Sequence, residues 1–127
     1  MREIKFRAWD TEEKRWWPKG HDEWINIAHN GTIIYGDSDG NPEDAEGRFE
    51  IAQFTGLLDM NGREIYEGDI VQVTETLVEV FEWVNPAAGF KTKRIDSKGR
   101  PVLSDLLPKW PHYEIIGNQF ENPDLLK

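Results

Sequence analysis

Residues 53–73, QFTGLLDMNGREIYEGDIVQV, constrain the fold of this chain more than any other stretch. The segment begins and ends with apolar and β-branched residues, and glycine-containing turns interrupt it at residues 59–62 and 68–69. Glycine lets the backbone reverse, and an Asp side chain can bond the free backbone N–H groups of a turn. The pattern predicts a strand, a turn, a polar link, a second turn and a strand.

The N-terminus shows a period of two. Ile4, Phe6 and Ala8 alternate with charged or aromatic residues, which predicts a strand with one buried face. A polar turn over residues 10–15 follows, and residues 16–17, both Trp, begin a returning strand that ends before the next Pro and Gly.

The dipeptide Asn30-Gly31 separates apolar runs at residues 24–28 and 32–35. Asn-Gly between apolar runs predicts a hairpin, because both central residues of its turn must accept positive φ. The following residues 36–47, GDSDGNPEDAEG, are acidic and rich in turn formers, which predicts a loop and the segment of the chain most prone to disorder.

Strand composition returns at residues 49–55 and again at residues 70–84. Thr and Val lose side-chain freedom in a helix, so a strand is favoured over residues 74–84, with a break or bulge near 74–76. Residues 90–95 predict an edge strand, since their basic side chains would discourage aggregation.

The C-terminal third contains three further elements. Residues 103–107 predict a helical turn, and residues 113–116, apolar on both faces, predict a short central strand. Asn122-Pro123-Asp124 has the Asn, Pro and acid order of a helix start, and Leu125 and Leu126 would pack that last turn down.

Eight or nine short strands without a long amphipathic helix predict an all-β, mainly antiparallel fold, as a barrel or a sandwich. The chain has 127 residues and no evident linker or internal repeat, so we expect one domain over residues 1–127.

The net charge of −9, from 15 basic and 24 acidic residues, favours solubility and opposes attachment to DNA or to anionic membranes. The chain has no Cys, which excludes disulfides and thiol catalysis. No apolar run has the length of a signal peptide core or a membrane helix. These features predict a cytoplasmic protein that does not engage a membrane.

Three segments, MREIKFRAWD, FTGLLDMNGREIYEGDIV and YEIIGNQFENPDLL, resemble the pattern of the YopX family, small proteins carried by phages and prophages. The resemblance implies a mainly β fold with a small SH3-like barrel, and a bacterial host cell as the setting. It implies no catalytic residues.

The acidic loop resembles a calcium-binding loop only in part. Asp37, Asp39 and Asn41 have the 1-3-5 spacing of a calcium loop, but Pro42 and Arg48 stand where an EF-hand requires Gly and Glu. The three His residues form no metal-binding motif. We expect no metal and no other cofactor.

Catalysis has one candidate group, the carboxylates of Glu64, Glu67 and Asp69. Acid–base catalysis needs two carboxyl groups in different environments, whereas these three lie in a turn-rich segment. Because no nucleophile–base motif or phosphate-binding loop accompanies them, we expect a non-enzymatic protein. Asp69 is expected to bond its own turn.

The tryptophans suggest a binding surface. Trp9, Trp16, Trp17 and Trp24 crowd the first 24 residues. Neighbours on a strand point to opposite faces, so one of Trp16 and Trp17 would leave the core side. Trp is enriched at binding hot spots, which predicts that these four side chains contact a protein partner or a second copy of the chain.

Nucleic-acid binding is the alternative. Residues 91–100, KTKRIDSKGR, have a local charge of +4, and small β barrels can bind nucleic acid through loops and aromatic faces. The overall negative charge and the ordinary use of basic residues on edge strands make this alternative the less favoured. Its candidate residues are Lys91, Lys93, Arg94, Lys98 and Arg100. A DNA-mimicking role for the acidic run 37–50 is weaker still, because such a run mainly stays solvated.

Overall fold

The computed structural model describes residues 3–19, 23–30, 32–36, 43–44, 47–75, 77–85, 89–95, 98, 100–104 and 113–126. These residues form an almost entirely antiparallel β structure, which confirms the predicted fold class. Within them there is no α-helix, and a 3-10 turn occupies Pro123–Leu126. The SH3-like barrel stays a prediction.

Strands β1 to β12 follow one another in chain order, and they form three sheets. Their bounds are β1 Phe6–Asp10, β2 Arg15–Trp17, β3 Trp24–Ile27, β4 Ile33–Gly36, β5 Glu43–Asp44, β6 Phe49–Leu58, β7 Glu64–Tyr66, β8 Asp69–Gln72, β9 Val78–Val84, β10 Gly89–Ile95, β11 Pro101–Ser104 and β12 Glu114–Asn118. The sheet orders are β2-β1-β6-β7, β3-β4-β5 and β11-β10-β9-β8-β12.

The chain divides into two compact units. One unit is Phe6–Ala52, and the other joins Met1–Lys5 to Gln53–Lys127. Strand β6 begins in the first unit and ends in the second. The expectation of a single domain over residues 1–127 stays a prediction.

Aromatic side chains dominate the core of the Phe6–Ala52 unit. The rings of Trp17, Tyr35 and Phe49 meet edge to face, with centroids 5.1 to 5.8 Å apart. Edge-to-face pairs add to the free energy of burial, because the positive edge of one ring meets the negative face of another. The buried members are Ala8, Trp17, Tyr35 and Phe49, and the half-buried neighbours are Ile25, Ile33 and Ile51.

A second core lies in the other unit and combines aliphatic and aromatic residues. Phe81 packs edge to face on Tyr113, with ring centroids 5.2 Å apart. Its buried members are Ile65, Val71, Phe81 and Tyr113, and its half-buried neighbours are Leu57, Val73 and Ile115.

The N-terminal hairpin has the predicted strands but a different burial. Strand β1 pairs with β2 through a polar turn, as expected. Ile4 and Phe6 are exposed, whereas Ala8 and Trp9 are both buried. The prediction of one buried face is therefore wrong, because Trp9 packs against Trp16 on the face opposite the aromatic core.

The second hairpin is confirmed. Strand β3 pairs with β4 across the Asn-Gly turn, although Gly31 itself lies outside the described residues. Strand β5, Glu43–Asp44, pairs with β4, so part of the predicted loop at residues 36–47 is a strand. The short acidic strand escaped notice because its sequence lacks β-branched residues.

The segment at residues 53–73 contains both predicted turns. Its polar link, however, includes strand β7, Glu64–Tyr66, which pairs with β6. The chain bends at residues 74–75 before β9, which confirms a strand with a break there.

Strand β10 is not at an edge, because it pairs with both β9 and β11. Beyond β10, the described end of this sheet is β11, Pro101–Ser104, which also overturns a helical turn beginning at Leu103. Pro101 is the first residue of β11, a position at which Pro is compatible with a sheet. Residues 105–107 of the predicted turn lie outside the described residues.

Among the strands that the structure describes, β12 lies at the end of its sheet and pairs with β8 alone, so the prediction of a central strand is wrong. Its outer edge is nevertheless bonded. Met60 N–H donates to the Tyr113 carbonyl at 2.8 Å, and the Ile115 N–H donates to the Asp59 carboxylate at 3.1 Å. Arg63 donates to the Ile115 carbonyl at 2.6 Å. The edge strand resembles a central one because the 59–63 turn supplies its missing partners.

The helical turn predicted from Asn122-Pro123-Asp124 is present as a 3-10 turn. The Asn122 side chain accepts a hydrogen bond from the Asn118 N–H at 3.3 Å, and thereby ties the turn to the end of β12. Leu125 is 41% exposed, but its Cδ1 lies against Gly117 of β12, 3.0 Å from where an added Cβ would stand, so Leu125 does contact the strand. The Leu126 side chain lies outside the described ones.

Candidate partner-binding surface

The four N-terminal tryptophans fall into two pairs. Trp9 and Trp17 are buried, with 6% of each residue's surface exposed, whereas Trp16 and Trp24 are half-buried. The register places Trp17 opposite Ala8 and Trp16 opposite Trp9, so adjacent tryptophans do point to opposite faces of the strand. Only Trp16 and Trp24 retain substantial access to solvent.

Trp17 belongs to the aromatic core and also makes a buried polar contact. Its indole Nε1–H donates to Asp10 Oδ2 at 2.9 Å. A buried indole N–H usually requires such an acceptor, and here the strand before the turn supplies it. This contact fixes Trp17 as a core residue.

Asp10 accepts hydrogen bonds from both sides of its carboxylate. Arg48 donates to Oδ1 at 3.0 Å and to Oδ2 at 2.7 Å, and the backbone N–H groups of Glu12 and Glu13 donate to Oδ1. Burial by itself would raise the pKa of Asp10. The hydrogen bonds from Arg48, from the two backbone N–H groups and from Trp17 outweigh it and hold the pKa well below its ordinary value.

Arg48 completes this buried network. Its Nη1 donates to the Tyr35 hydroxyl at 2.6 Å, and its guanidinium lies 4.8 Å from the Tyr35 ring centroid. The hydrogen bonds to Asp10 raise the pKa of Arg48 above its ordinary value. Asp10 and Arg48 are 38 positions apart, and no sequence signal linked them.

Trp16 is covered in part by its own unit. Its ring meets Trp9 edge to face, with centroids 5.2 Å apart, and the Arg7 guanidinium lies 3.9 Å from its ring centroid. In this stacking the Arg7 guanidinium covers one face of the Trp16 ring, and part of the indole remains accessible to solvent. Trp16 is thus a half-exposed member of an aromatic–cation stack.

Arg15 connects the first hairpin to the start of β3. Its Nη1 and Nη2 donate to the two carboxylate oxygens of Glu23 at 3.0 and 2.5 Å, and its guanidinium lies 4.2 Å from the Trp17 ring centroid. The hydrogen bond with Glu23 raises the pKa of Arg15. Because Trp24 follows Glu23, this two-point contact fixes the direction in which β3 begins.

Trp24 lies on the outer face of the β3–β4 hairpin. Ile25, Ile33 and Tyr35 point to the aromatic core, so residues of the opposite parity point away from it. The Trp24 ring extends across Gly36, where an added Cβ would lie 2.8 Å from its Cζ2. Gly36 therefore leaves the space that the indole occupies.

Ile34 is the diagonal neighbour of Trp24 on this outer face and is 37% exposed. We call Trp24, Asn26, Ile34 and Gly36 the Trp24 face. It combines a half-buried indole with an exposed aliphatic side chain, in the way that aromatic anchors occur at protein interfaces. The sequence indicated Trp24, whereas Ile34 and Gly36 were recognised only from strand pairing.

The basic residues of the alternative site do not share one face. Lys91 and Lys93 lie on one side of β10, and Arg94 on the other. Lys93 forms an ion pair with Glu82 at 3.2 Å. Lys98 and Arg100 are exposed beyond the strand. The local charge of +4 is thus divided and partly neutralised.

An aromatic pair accompanies Arg94. Trp83 is 40% exposed and meets Phe90 edge to face at 5.1 Å between centroids. Phe90 and Arg94 have the same parity in β10, so the pair and this one cation lie on the same side of the sheet. The sequence-based site missed Trp83 and Phe90 because it followed charge alone.

Two of the three candidate catalytic carboxylates, Glu64 and Asp69, have structural contacts. Glu64 forms an ion pair with Lys5, and Asp69 is buried and accepts a hydrogen bond from the Tyr66 N–H at 2.7 Å. The structural role predicted for Asp69 agrees with this contact. Asp37, Asp39 and Asn41 lie outside the described residues, within which no cluster of three metal-ligating side chains occurs.

Asp59 is a second buried anion that sequence reasoning assigned only to a turn. Its carboxylate accepts hydrogen bonds from the N–H groups of Asn61, Arg63 and Ile115 at 2.9 to 3.1 Å. Burial would raise the pKa of Asp59, but these N–H groups and the Arg63 charge lower it below its ordinary value. Asp59 binds the β6–β7 turn to β12.

Gly68 joins the middle segment to the C-terminal one. Its φ is +88°, and its carbonyl accepts a hydrogen bond from the Gln119 N–H at 2.8 Å. The Asn118 side chain in turn accepts from the N–H groups of Phe120 and Glu121. Two of the three sequence segments noted above therefore meet in one structural arrangement.

These features define a small antiparallel all-β protein. Its middle segment, residues 54–71, is hydrogen-bonded to its C-terminal segment, residues 113–126. The chain belongs to the YopX family: the family model, described as YopX protein, matches residues 5–127. No curated protein matches the chain. Among the described residues, no helix has the length and hydropathy that crossing a membrane would require.

Two solved structures are similar over nearly the whole chain. Protein EF1440 from Enterococcus faecalis is 27% identical, with a TM-score of 0.56, and the match covers 98% of this chain and 99% of that one. Protein yopX from Bacillus subtilis is 22% identical, with a TM-score of 0.60, and the match covers 100% and 98%. The second likeness shows the fold alone.

Proposed function

We propose that this protein is a non-enzymatic binding module that engages a protein partner, or a second copy of itself, through the Trp24 face. One observation carries the proposal: the Trp24 indole lies across Gly36 beside the exposed Ile34, on the face of the hairpin that points away from the core. Aromatic anchors of this kind supply much of the binding energy at interfaces.

Charge indicates the chemistry of the partner. The net charge of −9 disfavours another strongly acidic surface and favours an apolar patch with a basic rim. Self-association would have to overcome repulsion between two acidic chains, so a different protein is the preferred partner. The resemblance to phage and prophage proteins supports the cytoplasm of a bacterial host as the setting.

Ile34→Lys tests the Trp24 face. Ile34 is already exposed, so we expect its replacement to change the free energy of unfolding by less than about 1 kcal/mol and to weaken binding by placing a charge beside the indole. The matched control is Ile27→Lys, since Ile27 is 40% exposed on the same hairpin but belongs to the opposite face.

Binding is measured by capture from nuclease-treated bacterial lysate with identification by mass spectrometry, and self-association by sedimentation velocity. The proposal requires that a partner or a dimer retained by the wild type and by Ile27→Lys is lost with Ile34→Lys. Equal retention by both variants would remove the Trp24 face as the binding surface.

A nucleic-acid-associated role is the second candidate. The observation that favours it is the Trp83–Phe90 pair on the side of the sheet that also carries Arg94, because bases stack on aromatic side chains while basic residues contact the phosphate backbone. Phosphate contacts weaken steeply with salt, whereas aromatic protein anchoring does not. Binding of a fluorescent single-stranded oligonucleotide that disappears at high salt and with Arg94→Gln would favour this role.

A further inference from the structure

The direction of the backbone groups in β3 follows from its pairing with β4. The Ala28 N–H, just beyond β3, donates to the Thr32 carbonyl at 2.8 Å, and these two residues continue the β3–β4 register. Residues that bond the partner strand alternate along an antiparallel ladder with residues that do not. The N–H and C=O groups of Asn26 therefore point toward β4, whereas those of Ile25 and Ile27 point away from it.

No described residue bonds these outward groups. Among the strands that the structure describes, β3 ends its sheet, whose order is β3-β4-β5. No hydrogen bond from another described residue reaches the N–H or C=O of Ile25 or Ile27. Ile27 is 40% exposed, so water reaches this end of the strand. We call the two outward N–H groups and the two outward C=O groups the β3 edge.

The β3 edge lacks the features that usually protect the last strand of a sheet. Its residues, WINI, include no charged side chain and no Pro, and its register with β4 is regular, without a bulge. Charged side chains, Pro and bulges are the common means of discouraging a further strand. The outer edge of β12 differs, because the 59–63 turn bonds it. An unbonded edge of this kind is the geometry to which an extended peptide adds as another strand.

Charge favours a segment of another protein over a second copy of this chain. The unit Phe6–Ala52, which contains β3, has 11 acidic and 5 basic residues. Pairing β3 with β3 of a second copy would bring two acidic units side by side, and their repulsion opposes such a dimer. A basic segment is attracted to the same surface.

We propose, on the basis of the proposed function, that the partner adds an extended basic segment of its own chain as a further strand at the β3 edge. Such a strand lies beside Trp24 and Asn26, so it is continuous with the Trp24 face. Main-chain hydrogen bonds to Ile25 and Ile27 supply affinity, and every second side chain of the segment lies on the side of the Trp24 indole. The segment therefore has apolar residues at alternate positions, with Lys or Arg between them.

The test is a titration of the isotope-labelled full chain with the blocked peptide Arg-Val-Lys-Val-Arg, followed by amide NMR shifts and amide hydrogen exchange. In the free protein the N–H groups of Ile25 and Ile27 should exchange faster than that of Asn26, which is bonded to β4. The peptide should shift the Ile25 and Ile27 resonances and slow their exchange. The matched peptide Glu-Val-Glu-Val-Glu should do neither. Shifts that do not include β3, or no shifts at all, would overturn the proposal.

Two variants at one position separate the backbone from the side chain. Ile27→Pro removes the outward N–H and places the Pro ring there, while the bonds to β4 remain, so the fold should persist. We expect it to weaken binding of the basic peptide by about tenfold or more, through a lost hydrogen bond and a steric block. The matched control, Ile27→Thr, removes the same side chain but keeps both backbone groups, as Ile27→Lys does, and should bind more tightly than Ile27→Pro. Equal binding by these two variants would exclude the β3 edge.

Two further measurements keep the outcome decisive. Should Ile27→Pro fail to fold, the wild-type exchange rates decide, since the basic peptide must slow Ile25 and Ile27 more than any other amide of the β3–β4 hairpin. Sedimentation velocity tests the second copy as occupant. A wild-type dimer that Ile27→Pro converts to a monomer would assign the β3 edge to self-pairing and would overturn the proposal.

The same variants distinguish the β3 edge from the Trp24 face. A captured partner that is lost with Ile34→Lys but retained with Ile27→Pro would leave the Trp24 face as the binding surface and exclude strand addition. A partner that is lost with Ile27→Pro but retained with Ile34→Lys would support strand addition and remove the Trp24 face. Loss with both variants, together with slowed exchange at Ile25 and Ile27 in the peptide titration, supports both.

Discussion

Asp10 and Asp59 show how single side chains organise the turns of this protein. Each carboxylate is buried, each accepts backbone N–H groups from the turn that follows it, and each binds an arginine. An anion can be buried at low cost only when donors surround it in this way. The turns are therefore fixed by charge as well as by glycine.

Asp10→Asn should lower the free energy of unfolding by about 3 kcal/mol, because it removes the buried counter-charge of Arg48 and leaves the exposed carboxylates of Glu12 and Glu13. Glu12→Gln is the control, since Glu12 is exposed and lies 3.5 Å from the same guanidinium. The control should cost less than about 1 kcal/mol. Urea unfolding of both variants measures the difference, and equal losses would remove Asp10 as the organiser of this network.

Acid should destabilise the protein through the same groups. The pKa values of Asp10 and Asp59 are lowered on folding, so their stabilisation is complete above the unfolded pKa of about 4. It is lost as the pH falls through that value toward the folded pKa values, because the unfolded chain then binds more protons. The slope of the unfolding free energy against pH, measured from about pH 6 to about pH 3, should be shallower in Asp10→Asn than in the wild type.

At the scale of the element, two glycines with the same backbone conformation have different surroundings. Gly62 and Gly68 have φ of +82° and +88°. An added Cβ at Gly68 would lie 2.9 Å from the Phe120 ring, whereas a Cβ at Gly62 would have no described neighbour within 4 Å. Both Ala variants incur left-handed strain of about 1–2 kcal/mol. Gly68→Ala should cost about 1 kcal/mol more, by thermal unfolding. Equal losses of stability in the two variants would show that Gln119 and Phe120 move aside without cost.

Most strands could be predicted from sequence because their local signals agree with the fold. Alternating apolar residues, the Asn-Gly turn and the 59–62 turn gave β1, β2, β3, β4, β6, β8 and β9. Strand neighbours were harder, because pairing depends on distant segments. The sequence does not reveal that 101–104 pairs with β10, or that the 59–63 turn bonds the outer edge of β12.

The residues of the candidate site could likewise be predicted only where a local pattern marks them. Period two separated Trp16 from Trp17, and the structure places only Trp17 in the aromatic core. The contact of Trp24 with Gly36 could not be predicted, because it depends on a cross-strand register twelve residues away. Long-range partners such as Asp10 and Arg48 leave no local pattern in a single sequence.

At the scale of the whole molecule, Trp16 and Trp17 separate stability from association. Trp17→Ser should lower the free energy of unfolding by about 3–5 kcal/mol, as large core truncations do. Trp16→Ser should cost clearly less, because Trp16 is half-exposed, and should alter association instead. Chemical denaturation and sedimentation velocity on both variants check this. Two variants that lose stability equally and leave association unchanged would show that Trp16 serves no interface.

The closed outer edge of β12 limits how copies of this protein can meet. An unbonded edge recruits further strands and can seed fibrils or the exchange of strands between chains. Here Met60, Asp59, Arg63 and Asn122 already occupy the outward groups of Tyr113, Ile115 and Asn118. The exposed Ile116 therefore lies on a strand with few free backbone groups to which another strand could hydrogen-bond. Contacts between copies at β12 must rely on side chains.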